Sequence, residues 1–203
     1  MLKLVVLISG EGSNLQAMID SIQAGQLNAR ILLVISNRAD AKGLARAAAA
    51  GLPTEVLDHH HYAERQRYDE VLQQLIDKAQ PDIVVLAGFM RILSAGFVRH
   101  FRNRLLNIHP SLLPRHKGLH THTRALADGD HEHGCSVHVV NEELDGGAVL
   151  AQASLLINTE DDAESLADRV HHMEHQLYPT VLQALATGHL HIQEDCHAET
   201  LHY

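Results

Sequence analysis

The sequence predicts an α/β protein with a doubly wound, mainly parallel sheet, an antiparallel strand addition and a long C-terminal helix. Three observations carry this. Apolar runs of strand length alternate with segments whose apolar residues recur at helical spacing, the pattern of βα units and parallel strands. Two apolar segments then follow one another across a turn, which argues for an antiparallel pair. Finally, Leu166, Val170, Met173, Leu177, Val181 and Leu185 recur every three or four residues and mark one long amphipathic helix.

Each element follows in order. "LKLVVLIS" reads as a buried strand, and the turn "GEGSN" leads into a helix carrying Leu15, Met18, Ile19 and Ile22, with Ser13 or Asn14 as its cap. "RILLVIS" is the second strand; "ADAKGLARAAAAG" is helical, with Gly51 as its stop. "TEVLD" is a short third strand, and a helix is predicted from Tyr62 to Ala79 with Tyr68, Val71, Leu72, Leu75 and Ile76 on one face. "DIVVLAG" and "LLNIH" are the fourth and fifth strands. Between Pro110 and Gly134 the chain turns polar, with few apolar anchors, and reads as a long loop holding one short helix around His122 to Ala127. "SVHVV" and "AVLAQASLLI" form the late pair, joined through "NEELDGG". Pro179 is a candidate bend in the last helix and Gly188 its candidate end. A single domain over residues 1–188 with a tail over 189–203 is expected, and the order of "EDCHAETLHY" stays open.

Composition narrows the function. The 203 residues are 45% hydrophobic and 20% charged, ordinary for a globular chain, and the net charge of −9 argues against a nucleic-acid partner. Two cysteines, Cys135 and Cys196, make neither a disulfide framework nor a zinc knuckle. The apolar start is too short for a membrane span and lacks a cleavage pattern, so a cytoplasmic protein without a membrane partner is expected. The 18 histidines are dispersed ("HHHY", "HTHT", "HEHG", "HHMEH"), which reads as surface composition rather than a site.

In a doubly wound sheet, ligands bind outside the carboxyl ends of the strands. "SGEGSN", "AGFM" and "NIHP" fall at such ends. Gly10 and Gly12 let a backbone approach a ligand, and free amides at a helix start attract an anion. The turn is no P-loop and only half a dinucleotide fingerprint, since Leu15 takes the place of a third glycine; it suits one phosphate, or merely packs its helix. Asn107 and His109, two apart, point the same way on a strand. They either satisfy one another or present an amide donor and a proton carrier to a reacting oxygen. Asp145, beside two glycines, is the candidate partner that holds the imidazole and favours its charged form, or is a turn residue, or both. No nucleophile elbow is present. Amide, imidazole and carboxylate suit direct acyl transfer to an amine.

"LISGEGSNLQA", "VVLAGFMRILS", "LLNIHPSLLP", "GLHTH", "HGCSVHVV" and "ELDGG", in this order, resemble the folate-dependent phosphoribosylglycinamide formyltransferases of the purine pathway, from Met1 to about Gly188. The resemblance implies a Rossmann-like formyltransferase fold, with nucleotide bound by the N-terminal half and folate by the C-terminal half. It implies transfer of the formyl group of 10-formyltetrahydrofolate, a co-substrate, to the amine of glycinamide ribonucleotide. Asn107, His109 and Asp145 would be catalytic. Gly12, Ser13 and Asn14 would hold the phosphate, and His171, His172, Met173 and Glu174 the nucleotide sugar. Arg65, Met90, Arg91, Ile92 and Leu93 would contact folate, as would Asn107 and the loop Asn141, Glu142, Glu143, Leu144 and Asp145.

No metal is expected, because two donors already serve the oxyanion. The oligomeric state, monomer or homodimer, stays open. Three residues depart from the family pattern: Glu11 puts a negative charge in the phosphate turn and must point away, His116 stands where an aromatic is common, and His171 replaces an amide. Competing readings are a formyltetrahydrofolate hydrolase or another formyltransferase of this fold, a non-catalytic nucleotide-binding module, and a histidine metalloprotein using His171 and His175.

Overall fold

A computed structural model describes residues 1–192 together with the backbone of Leu201 and His202. Its elements are β1 (Leu2–Ile8), α1 (Ser13–Gln23), β2 (Ala29–Ser36), α2 (Lys42–Ala49), β3 (Thr54–Val56), a 3-10 turn (His59–His61), α3 (Arg65–Ala79), β4 (Ile83–Leu86), α4 (Ala95–His100), β5 (Leu105–His109), α5 (Thr121–Ala127), β6 (Glu132–Val139), β7 (Val149–Leu156), α6 (Ala163–Thr187) and the two-residue β8 (Leu201–His202). The sheet order is β3-β2-β1-β4-β5-β6-β7-β8. β1 to β5 run parallel, β6 is antiparallel to both its neighbours, and β8 pairs parallel with β7. This is the doubly wound sheet with an antiparallel addition that the pattern predicts.

The two-residue period of a strand builds two cores at once. Leu4, Val6 and Ile8 pack with α1 and α6 through Leu15, Met18, Val170 and Leu177. Val5 and Leu7 face the other way and pack with α3 and α4 through Tyr68, Leu72, Phe97 and Phe101. Burying both faces explains why these strands read as continuous apolar runs. Each fully buried side chain such as Leu15 or Met18 contributes about 1.5–3 kcal/mol.

Several local expectations change. α1 is entered through Gly12 in the left-handed region (φ 69°), with no side-chain cap from Ser13 or Asn14. Asn14 instead sends its amide to Glu174. α3 starts at Arg65 rather than Tyr62, because the 3-10 turn and an extended Tyr62 and Glu64 precede it. The helix α4, absent from the sequence reading, is only six residues long, too short to display a period, although Ser94 caps it by accepting from the Phe97 amide (3.4 Å). β6 reaches back to Glu132. α6 runs unbroken through Pro179 and ends at Gly188 (φ 73°). Its start is fixed by a capping box between Asp162 and Ser165. Just beyond it, the His189 and Leu190 amides both bond to the Ala184 carbonyl (2.9 and 3.1 Å); the question of order in "EDCHAETLHY" falls outside the described residues but for the pairing of β8.

Candidate active site

The ends of β1, β2 and β4 are tied by one hydroxyl. Ser9 Oγ donates to Asn37 Oδ1 (2.6 Å) and accepts from the Met90 amide (2.8 Å). Beyond it the chain turns at Gly12, where a Cβ would lie 2.5 Å from Gly43 Cα, so the turn seats directly on α2. The Gly43 amide donates to the Gly10 carbonyl (3.0 Å) and Arg46 Nε to the Glu11 carbonyl (2.8 Å). Glu11 turns its carboxylate to Lys42 (2.7 Å), both exposed, which removes its charge from the mouth of the turn. The first amides of α1 lack intrahelical partners and open the helix as an anion-attracting end.

Of the residues assigned to the nucleotide, Asn14 and Glu174 meet: Asn14 Nδ2 donates to Glu174 Oε2 (2.8 Å), both buried. Burial pushes the Glu174 carboxyl above its ordinary range, against the opposing pull of the Asn14 hydrogen bond. Asn14 Oδ1 is buried and has no protein partner. His171 is exposed, Met173 packs on the apolar core, and His172 Nδ1 donates to the Asp168 carbonyl (2.7 Å). The structure therefore brings Glu174, but neither Met173 nor His172, to the turn.

β5 presents Asn107 and His109 on the face opposite Leu106 and Ile108. His109 Nε2 donates to the His116 carbonyl (3.0 Å), which leaves Nδ1 facing Asp145 Oδ2 at 3.5 Å. Both side chains are almost wholly covered, so the Asp145 carboxylate acts on the ring with little solvent screening. Asp145 Oδ2 is fixed by the Gly118 amide (2.8 Å). Its other oxygen lies 3.7 Å from Nε2 of His138, which the antiparallel register sets opposite Asn107. Burial lowers the His138 pKa, the Val139 carbonyl and Asp145 opposing it. The neutral ring gives its Nδ1 proton to the Val139 carbonyl (3.1 Å), so Nε2 accepts from Asn107 Nδ2 (3.2 Å). One Asn107 N–H is thereby spent and the other is left for a ligand.

Asp145 sits at φ 47°, in the left-handed region that, glycine aside, short polar residues tolerate best. The loop from 141 to 147 that carries it is tethered at two carboxylates, Glu143 to Lys117 (2.7 Å) and Glu142 to Arg99 (3.0 Å). Arg124 of α5 donates to the Lys117 and Leu119 carbonyls (2.6 and 3.3 Å). His116, buried, bonds Asp130 (2.7 Å), which also pairs with Arg115. The segment after Pro110 thus has polar anchors where the sequence offers few apolar ones. Within it, His133 Nε2 and His122 Nδ1 are 3.1 Å apart, and burial holds both pKa values down at about 4.

Among the described residues, seven large apolar side chains are exposed, and four of them, Met90, Ile92, Leu119 and Leu144, stand on the three loops that follow β4, β5 and β6. Arg91 lies instead over the Tyr68 ring (4.4 Å), and Leu93 packs on the core beside α3. Arg65 lines a cleft of about 530 Å³ with Asp69, Ser94 and Arg99, whose walls include none of Asn107, His109 and Asp145. Asn141 Oδ1 accepts from the Glu143 amide (3.0 Å), closing the start of the loop on itself.

The sequence model of the formyl transferase family matches residues 2–182. The chain belongs to the formyl transferase family. It is 50% identical to the phosphoribosylglycinamide formyltransferase of Escherichia coli K12 over 96% of this chain and 92% of that protein. It is also 50% identical to a trifunctional purine biosynthetic protein adenosine-3 of Drosophila pseudoobscura pseudoobscura over 93% of this chain, which spans 14% of that protein. The phosphoribosylglycinamide formyltransferase structure from Coxiella burnetii superposes with a TM-score of 0.91 at 51% identity, covering 95% of this chain and 90% of that one.

Sequence reasoning missed three contributors to the site of this formyl transferase. His138 is invisible until strand register places it opposite Asn107, although its place in the alternating "SVHVV" is a signal. The Gly118 amide and the His116 carbonyl are backbone groups, which no side-chain pattern reveals. Among the described residues, His171 and His175 join no cluster of three possible metal ligands.

Proposed function

We propose that this formyl transferase passes the formyl group of 10-formyltetrahydrofolate to the primary amine of glycinamide ribonucleotide, giving formylglycinamide ribonucleotide and tetrahydrofolate. Its activity is that of a phosphoribosylglycinamide formyltransferase, an enzyme of purine biosynthesis. The observation that carries the assignment of roles is the meeting of Asn107, His109 and Asp145 from two separate segments at the ligand end of the sheet.

The amine nitrogen attacks the formyl carbon, the carbonyl oxygen takes the negative charge, and the folate nitrogen leaves once it gains a proton. Net, one proton passes from the attacking to the departing nitrogen. The second N–H of Asn107 is free for the oxyanion, a donor worth about 2.7–4 kcal/mol when pre-aimed. His109 carries the proton. Asp145, held by the Gly118 amide, stabilises the positive ring during that passage and fixes its plane. The start of α1 from Gly12 to Asn14 receives the phosphate, and Glu174 beside Asn14 faces the sugar. Met90, Ile92 and Leu144 supply apolar walls for a flat pterin.

The nucleotide is thus received by the start of α1 together with Glu174 of α6, and folate by the loops after β4 and β6, so both halves of the domain contribute to each ligand. Its partners are small molecules, and the acidic charge of −9 suits no polyanion. We place it in the cytoplasm; among the described residues no helix is long and apolar enough to cross a membrane.

An absorbance assay of folate deformylation with and without glycinamide ribonucleotide tests the reading. Turnover should appear only with the nucleotide and vanish in His109→Ala. Equal turnover without it would make the chain a hydrolase.

A further inference from the structure

We propose that Asp58, His59 and His60 form a binding site for a divalent cation of the zinc or nickel class, separate from the formyl-transfer centre. The segment follows β3 at the edge of the sheet and makes one 3-10 turn. Asp58 caps that turn by accepting from the His60 amide (2.9 Å), so its carboxylate is held over the turn instead of ranging through solvent. The same oxygen lies 2.8 Å from His60 Nδ1 and 3.9 Å from His59 Nδ1. One ligand atom from each of the three residues lies within 4.8 Å of the other two.

Metal bonds to nitrogen and oxygen of about 2.0–2.2 Å in a tetrahedron put ligand atoms about 3.3–3.5 Å apart. The distances of 2.8 and 3.9 Å bracket that value; the shorter is a hydrogen bond between His60 and Asp58, whose proton the cation displaces as the side chains rotate to close the site. The His59 ring is already oriented. Its Nδ1 lies 3.1 Å from the carbonyl of buried Asn37 and 3.4 Å from Asn37 Nδ2, so a cation bound at this nitrogen takes the place of that hydrogen bond. The pre-ordered ligand is Asp58, held by the His60 amide, and such pre-ordering lowers the entropy lost on binding. Asp58 and His59 are about three-quarters covered while His60 is open, which leaves room for water in the remaining coordination position.

Donor chemistry selects the cation. Two imidazoles and one carboxylate suit zinc, nickel or copper, whereas calcium and magnesium require oxygen ligands. The 18 histidines of the chain are otherwise scattered, and among the described residues this is the one place where three such ligand atoms converge. None of the three residues belongs to the transfer machinery, so the site stands or falls independently of it.

The test is equilibrium binding of Zn²⁺ to the full chain, native and as the double variant Asp58→Asn, His60→Gln. Asn caps a helix as well as Asp, so the turn is retained while the anionic ligand and one imidazole are lost. The native chain should bind one Zn²⁺ that the variant binds at least about 10-fold more weakly. On the native chain itself, substoichiometric Ni²⁺ should broaden the ring NMR signals of His59 and His60 before those of any other histidine. Unchanged Zn²⁺ affinity in a variant of native thermal midpoint, or broadening that begins at His171 or His172, would overturn the site.

Discussion

The turn after β1 and the paired loops around Asp145 serve the same end of one sheet, yet different forces hold them. The turn is built by packing: Gly12 touches Gly43 across a gap with no room for a methyl group, and Leu15, Met18 and Ile19 anchor the following helix in the core. The loops are built by polar tethers: Gly118 to Asp145, Lys117 to Glu143, Arg99 to Glu142 and Arg124 to two carbonyls. Packing gives a receptor that does not adjust. Solvent-facing ion pairs contribute little each and exchange readily with water. A phosphate needs only a fixed cradle. On the proposed reading, a carboxylate that stays beside His109 while folate comes and goes suits a loop held by many weak, replaceable contacts.

That contrast is sharpest at Gly12. Gly12→Ala places a Cβ 2.5 Å from backbone in a conformation at φ 69°, a strain of about 1–3 kcal/mol before the clash. The thermal midpoint should fall by about 4 °C or more and the KM for the nucleotide should rise. A variant of unchanged midpoint would mean that the turn is as adjustable as the loops.

Acid should act on the loop side first. His122 and His133, ordinarily near 6.5, are held down at about 4 in the fold because burial disfavours their charged forms. The unfolded or opened segment therefore binds more protons between these values, and stability is lost as pH falls from about 6.5 towards about 4. The two rings share one hydrogen bond and titrate as a pair. The protection factors for hydrogen exchange at α5 should fall over that window while those of α1 hold, and His133→Gln should flatten the response. A parallel fall in both elements would erase the distinction.

The smallest effect belongs to a single tether. Lys117→Met removes the pair with Glu143, which is largely exposed, and should lower kcat only a few-fold, since about 1 kcal/mol is the upper range for such a pair. A loss of 100-fold would show that the loop hangs on this one contact.

How far the sequence revealed all this follows the same divide. The strands were legible because both faces are buried, so Val5, Val6 and Leu7 read as one apolar run. The segment Ala95–His100 was not, since six residues show barely one helical repeat and only the Ser94 cap marks it. Asn107, His109 and Asp145 could be picked out from a strand end and a glycine-rich turn. His138, Gly118 and His116 could not: the first depends on register, the others on backbone groups whose direction only the folded loop sets.

The central claim is that Asp145 works through the ring of His109 and not by gripping substrate. Steady-state kinetics of Asp145→Asn across pH tests it most directly. The amide keeps the size of the side chain and an oxygen that can accept from Gly118, but removes the negative charge 3.5 Å from Nδ1. In this variant kcat should fall on the order of 10²–10⁴ with KM for both substrates within a few-fold, and the pH profile of kcat should change. A rise in KM with kcat intact would contradict it and make Asp145 a binding residue.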